Sequence, residues 1–333
     1  MILLSVIGFL VVIYFAFQFL LWTVLDCDIE LFLASFLGRP IRKLRGKVVW
    51  ITGASSGIGR ALAKVLATNG VRLVLTARNS RELEATKQEC LSLSGGSLKA
   101  DDILVIPLDM LKFAFHQDTF NRVIAHFKSL DILVNNAGRS QRAEWNKIDI
   151  NVDRELFELD VFSAIHLSRL AVTYFEQNNN VLGQIAVTSS TAGYIGAPNS
   201  ASYTGAKHAL HGYFESLRHE KPNINVNIYC PGPTFSNFLN EAFVETPGQK
   251  YNQPVQSTDR RMTTDRCAHL YAVALANNIG LCWSGIFPIN WISYIGLYYP
   301  NIKRLLLALI GTKRLQRIRD SQRYNNANDP SPA

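Results

Sequence analysis

The stretch Ser200 to Leu210, SASYTGAKHAL, sets a tyrosine and a lysine four residues apart among small residues. In a helix, positions i and i+4 share a face, so the Tyr203 hydroxyl and the Lys207 ammonium can enter one space. A free tyrosine, with a pKa of about 10, exchanges protons poorly near neutrality, and a nearby positive charge favours its phenolate. Such a tyrosine can pass a proton to or from a carbonyl or alcohol oxygen as a general acid or base. The same spacing also suits a packed aromatic beside a solvated charge, so the pair needs support from elsewhere in the chain.

That support begins at ITGASSGIGR, where Gly53, Gly57 and Gly59 fall between an apolar run and an amphipathic one. Glycines there let the backbone turn tightly and approach a pyrophosphate, which meets the N–H groups and positive dipole of a helix start. The end of the next apolar run separates the two nicotinamide dinucleotides. An acid there suits the ribose hydroxyl of NAD, whereas an arginine suits the extra phosphate of NADP. LVLTARNSR has Ala77 where the acid would stand and Arg78 beside it, which favours NADP(H) over NAD(H).

Both features need a sheet to position them. The segments KVVWITG, VRLVLTARN, DILVIPLDM, DILVNNAG, GQIAVTSS and INVNIYCPG read as short buried strands. Between them, GRALAKVLATNG, SRELEATKQECLSL, FNRVIAHFKSL, RELFELDVFSAIHLSRLAVTYFEQ and the Tyr203 segment read as helices. Apolar strands alternating with helices imply βαβ units and a parallel sheet covered on both faces. The expected architecture is a doubly wound α/β (Rossmann) fold in a single catalytic domain over residues 46–264. No second βαβ series is read after Gly232, and residues 236–264 read as irregular. Residues 265–320 are expected to form a helical extension, and the polar stretch 321–333 a disordered tail.

TGASSGIG at Thr52 to Gly59, NNAG at Asn135 to Gly138, Ser190, Tyr203-x-x-x-Lys207 and Pro231-Gly232 resemble, in order and spacing, the short-chain dehydrogenase/reductase family. The resemblance covers about residues 46–236. It implies that Tyr203 is the general acid in carbonyl reduction or the base in alcohol oxidation, and that Ser190 and Tyr203 hold the substrate oxygen. Lys207 would bind the nicotinamide ribose and assist the tyrosine. Thr52, Gly53, Ser55, Ser56, Gly57, Ile58 and Gly59 would form the cofactor cradle, with Arg78 and Asp109 toward the adenine end. Asn135 and Ala137 would shape the channel, and Pro231, Gly232 and Ser236 would serve the nicotinamide end. Hydride addition creates negative charge on oxygen, so donors already aimed there stabilise it without reorganising.

One position departs from the pattern. Where the family usually carries an asparagine holding a water linked to the lysine, LFELDVFSAIH puts Asp160. Its backbone carbonyl can still serve the water, its carboxylate can partly neutralise Lys207, or its protonated form can mimic the amide. Slower chemistry or a displaced pH optimum is expected. A catalytically weak dinucleotide-binding protein acting through cofactor-dependent interaction is the alternative that Asp160 keeps open.

The N-terminal run MILLSVIGFLVVIYFAFQFLLWTVL carries no charge through residue 25. About 25 residues at about 1.5 Å each exceed a bilayer core of about 30 Å. The run therefore reads as a transmembrane anchor over residues 1–25, with a cleaved signal peptide as the rival; the basic n-region and cleavage site of a signal are missing. Residues 26–45 read as a basic linker. The net charge of +8 gathers beside apolar segments, at Arg39 to Lys47 and at Lys303 to Arg319, which suits a membrane surface rather than nucleic acid. The expected location is a membrane, taken as the endoplasmic reticulum, or secretion if the first segment is removed.

The uncharged, aromatic-rich run Ile279 to Tyr299 reads as a surface contact with the membrane, and Phe235, Phe238, Leu239 and Phe243 as a substrate pocket or a lid. The expected substrate is a lipophilic carbonyl or alcohol. Five widely spaced cysteines form no CxxC pair, so neither a metal site nor a disulfide framework is indicated. Homodimer formation is left open.

Overall fold

The computed structural model of the chain describes residues 2–178 and 182–311. The strands β1 Val48–Thr52, β2 Arg72–Ala77, β3 Ile103–Pro107, β4 Ile132–Asn135, β5 Gln184–Thr188, β6 Asn225–Pro231 and β7 Leu281–Ser284 form one sheet. All pairings are parallel, in the order β3-β2-β1-β4-β5-β6-β7. The helices are α1 Ile2–Val24, α2 Ile29–Leu37, α3 Gly57–Thr68, α4 Ser80–Leu93, α5 His116–Phe127, α6 Ile150–Phe157, α7 Ser163–Gln177, α8 Ala201–Glu220, α9 Thr264–Asn277, α10 Ile289–Tyr298 and α11 Pro300–Ile310.

The strands are mostly apolar because both sheet faces are covered. Val48 and Trp50 of β1 join Val74, Phe120, Leu167 and Phe214 in one core; their neighbours Val49 and Ile51 join Leu62, Leu75, Leu83 and Leu270 in the other. Alternate side chains of one strand thus feed two helix layers. The chain winds outward from β1 to β3, then restarts at β4 on the other side of β1, and the C-terminal ends of β1 and β4 flank the crevice where such sheets bind ligands.

Four expectations need correction. The sheet continues beyond residue 264: α9 packs on α3, and β7 pairs in register with β6, Ile228 to Leu281 through Pro231 to Ser284. The domain boundary expected at 264 therefore falls at the start of a core helix. β7 is only four residues long, and the aromatic run around it hides its boundary; its buried Cys282 and Trp283 are core rather than membrane contact.

Residues 26–45 are not a loose linker. Asp28 caps α2 by accepting from Leu31 N at 2.9 Å, Cys27 bridges to Ser284, and Ile41 and Leu44 are buried. The long helix expected through residue 177 is interrupted by a π-turn at Glu158–Phe162, between α6 and α7.

Helix α1 is the one described helix long and apolar enough to cross a membrane, and its apolar window is unburied. Its 23 residues span about 35 Å at about 1.5 Å each. The expected tail and the basic residues Lys313, Arg314, Arg317 and Arg319 lie outside the described residues.

Candidate active site

The glycine turn joins β1 to α3. Gly53 has φ +67, in the left-handed region, and a Cβ there would stand 2.9 Å from the Ala137 Cα. At Gly59 a Cβ would collide with the Gly53 carbonyl. Both positions thus bring backbone against backbone where only glycine fits. Ser56 caps α3 without a side-chain hydrogen bond, and the first turn of α3 carries no acid. Its leading N–H groups are left for an anionic ligand.

The turn opens into one cavity of about 780 Å³ that runs from Arg78 and Asp109, past Gly53, Ser55, Ser56, Gly57, Ile58 and Ala137, to Ser190, Tyr203, Lys207, Pro231, Gly232 and Ser236. A nicotinamide dinucleotide fits this donor set: a glycine cradle, an uncapped helix start and an exposed arginine beside Ala77 at the end of β2. Asp109 fixes its own loop by accepting from Leu111 N at 3.1 Å.

Three residues expected at the cofactor do not line the cavity. Thr52 is buried, and its Oγ1 accepts from the N–H groups of Asn136 and Ala137 at 2.9 and 3.0 Å. Gly59 packs beneath the turn. Asn135 is also buried, its Nδ2 donating to Ser168 Oγ at 2.9 Å. The cavity-facing asparagine is Asn136, which donates to the Thr52 carbonyl at 3.0 Å and accepts from Thr188 Oγ1 at 3.2 Å. Neighbours at a strand end point to opposite sides, so only one of the pair faces the crevice. That alternation was the signal available in NNAG.

The 20-residue helix α8 presents Tyr203 and Lys207 one turn apart, with Lys207 Nζ 5.5 Å from the tyrosine ring centroid. Phe238, from the irregular segment, meets the Tyr203 ring edge-on at 5.9 Å. Ser190 lies just beyond β5, its Oγ accepting from Ala192 N at 3.2 Å and donating to the Pro231 carbonyl at 3.4 Å.

Lys207 is buried. Its Nζ donates to the Thr188 carbonyl at 3.1 Å and forms an ion pair with Asp160 Oδ2 at 3.0 Å. Asp160 projects from the π-turn; its Oδ1 accepts from Arg139 N at 2.8 Å. The carboxylate lies directly over Gly138, where a Cβ would approach Oδ2 to 3.0 Å. Burial lifts the Asp160 carboxyl above its ordinary range against the pull of Lys207 and the Arg139 N–H. For Lys207, burial favours the neutral amine, but Asp160 and Tyr203 outweigh it and raise the ammonium.

At the substrate end Phe238, Leu239 and Phe243 line the cavity, whereas Phe235, read with them as pocket or lid, does not. The rest of the wall comes from residues the sequence did not mark, at the loop Ile195 to Pro198, at Val255, and at Ile289, Ile292 and Ser293 of α10. No local pattern distinguishes these apolar residues from ordinary core.

The short chain dehydrogenase family pattern matches residues 47–246. The chain belongs to the short-chain dehydrogenase/reductase family. Within it, human dehydrogenase/reductase SDR family member 7 is 36% identical over 299 residues, covering 87% of this chain and 86% of that protein. The 11-beta-hydroxysteroid dehydrogenase A of Sesamum indicum is 32% identical over 254 residues, 74% of this chain and 68% of its own. The solved structure of a short chain dehydrogenase/reductase from Burkholderia phymatum in complex with NAD shares the fold, with TM-score 0.65 and 22% identity over 79% of this chain and 96% of that one. This family member is therefore an oxidoreductase by class, and its cradle is of the kind that takes NAD or NADP.

Proposed function

We propose that the protein is a membrane-anchored, NADP(H)-dependent oxidoreductase that interconverts hydrophobic carbonyls and alcohols, with steroids, retinoids or similar lipids as the substrate class. The observation that carries this reading is the single cavity in which Ser190, Tyr203 and Lys207 meet the glycine turn. A bound nicotinamide supplies hydride to a carbonyl carbon, or accepts it from an alcohol. Tyr203 gives a proton to the carbonyl oxygen in one direction and takes it back in the other. Ser190 donates to the same oxygen as negative charge develops there. Lys207 holds the ribose and presents positive charge to Tyr203, with Asp160 offsetting part of that charge.

Arg78 supports NADP(H): it is exposed at the cavity rim beside the end of β2, where no acid stands to hold a ribose hydroxyl. Phe238, Leu239, Phe243, Ile289 and Ile292 support an apolar substrate, and the hydroxysteroid activity named for the sesame relative points the same way. Retention of α1 is supported by the packing of the residues next to its C-terminal end. Arg266 makes two hydrogen bonds to the Asp26 carboxylate, at 2.8 and 3.0 Å, and Leu25 and Cys27 are buried. An endoplasmic reticulum location belongs to this reading.

NADPH oxidation with a panel of lipophilic ketones, from about pH 5 to 9, tests it with Tyr203→Phe as the control. Tyr203-dependent turnover is the expected result. The buried Lys207–Asp160 pair favours a second reading, a dinucleotide-binding protein with weak chemistry that acts through cofactor-dependent interaction. NADPH affinity without turnover across that range would select it.

A further inference from the structure

We infer that helix α1 is a working part of the substrate site, acting through α10, and that Asn290 and Trp22 are the positioning residues of that link. The inference rests on the oxidoreductase reading above for the nature of the ligand, but on α10 itself for the connection.

The inner side of α10 walls the cavity with Ile289, Ile292 and Ser293. It is packed there without slack. A Cβ on Gly232 would stand 2.7 Å from Ile289 Cγ2, and one on Gly296 would stand 2.6 Å from Cδ1 of Ile195, itself a lining residue. The helix therefore leans on both loops that bracket the substrate end, the one after β6 and the one after Ser190. A displacement of α10 has to move Ile289 and Ile292 relative to the nicotinamide side of the cavity.

The outer side of α10 is fastened to the end of α1. Asn290 is fully buried; its Oδ1 accepts from Trp283 Nε1 at 2.9 Å, and its Nδ2 donates to the Trp22 and Leu25 carbonyls at 3.3 and 3.1 Å. The last carbonyls of a helix have no partner within it, and here a side chain of α10 supplies one. Tyr294 stacks on Trp22 with centroids 4.7 Å apart and planes 12° apart, and its hydroxyl accepts from Ile29 N at 2.7 Å. Trp291 meets Phe19 edge-on at 4.9 Å. A helix that served only as a tether would need none of this, because a flexible connection holds a domain at a membrane equally well. The junction instead fixes α1, α10 and the cavity wall as one unit.

The test uses the full chain in phospholipid nanodiscs, reading two affinities: NADPH alone, and benzophenone for the protein with NADP+ bound. Trp22→Ala and Asn290→Leu should each weaken benzophenone about fivefold or more, with NADPH affinity held within about twofold. Ile292→Phe, which fills the wall directly, should weaken benzophenone with NADPH affinity held in the same way. Unchanged benzophenone affinity in Trp22→Ala and Asn290→Leu overturns the link, as does a parallel loss of NADPH affinity in Trp22→Ala, which would make the junction a general fold contact. A failed oxidoreductase reading is seen separately, in a wild-type protein that binds no ketone, and the link then falls with it.

Discussion

At Lys207 two partners compete for one buried ammonium. Asp160 lies 3.0 Å away and the Tyr203 ring centroid 5.5 Å, so the carboxylate takes the closer share of its field. Asp160→Asn leaves burial to lower the Lys207 ammonium and removes the charge that offsets it toward Tyr203. The limb of the alcohol-oxidation pH profile that reports Lys207 should then move to lower pH; an unmoved profile would show that Asp160 is electrostatically silent. Tyr203→Phe should lower kcat/KM by about a hundredfold to ten-thousandfold while NADPH affinity changes little, since only the proton transfer is removed. Arg78→Ala should reduce the preference for NADPH over NADH about tenfold, measured as the ratio of dissociation constants. The residue types of these groups were legible from spacing, and the family resemblance already set the Asp160 carboxylate against Lys207; the direct contact at 3.0 Å was decided by the π-turn and α8.

Among the elements, the β1 to α3 turn tolerates no added carbon. Gly59→Val would drive a branched side chain into the Gly53 carbonyl, so NADPH binding should fall more than about tenfold, or the domain should unfold at lower denaturant concentration. Most boundaries of this layer follow from the sequence: helix α4 spans the residues read from SRELEATKQECLSL, capped by Asn79 accepting from Glu82 N at 3.2 Å. Where sequence and structure part, the reason is tertiary. β7 is four residues long and gains its identity only by pairing with β6. The segment expected as a linker carries a helix, α2, because Asp28 accepts both its cap hydrogen bond and one from Trp283 N at 2.9 Å, across 255 positions of sequence. Asn135 and Asn136 carry the same side chain, and the direction of β4 alone sends one to the core and the other to the crevice.

For the whole molecule, the exposed apolar surface of α1 should keep the protein with membranes after alkaline carbonate washing, and removal only by detergent is the measurement that checks it. Stability should follow two histidines, His116 buried and His211 half-buried. Burial, then the neighbouring His166, lowers His116 to about 4; burial, then His208, Arg218 and Lys207, lowers His211 to about 4. Both are depressed below an unfolded value near 6.5, so the unfolded chain binds more protons between those limits. Their contribution is present above about pH 6.5 and lost as pH falls toward 4, and the melting temperature should drop over that window. Asp28 works against them, since burial pushes its carboxyl up to about 6. His211→Gln should flatten the drop.

The doubly wound sheet, the glycine turn and the Tyr203–Lys207 pair were already specified in the linear order of residues, because they depend on periodicity and on spacings of a few positions. Their surroundings came from tertiary packing: the direct contact of Asp160 with Lys207, the seventh strand and the junction of α1 with α10. Each of those depends on residues far apart in the chain, and nothing local records which distant surface a buried side chain will meet.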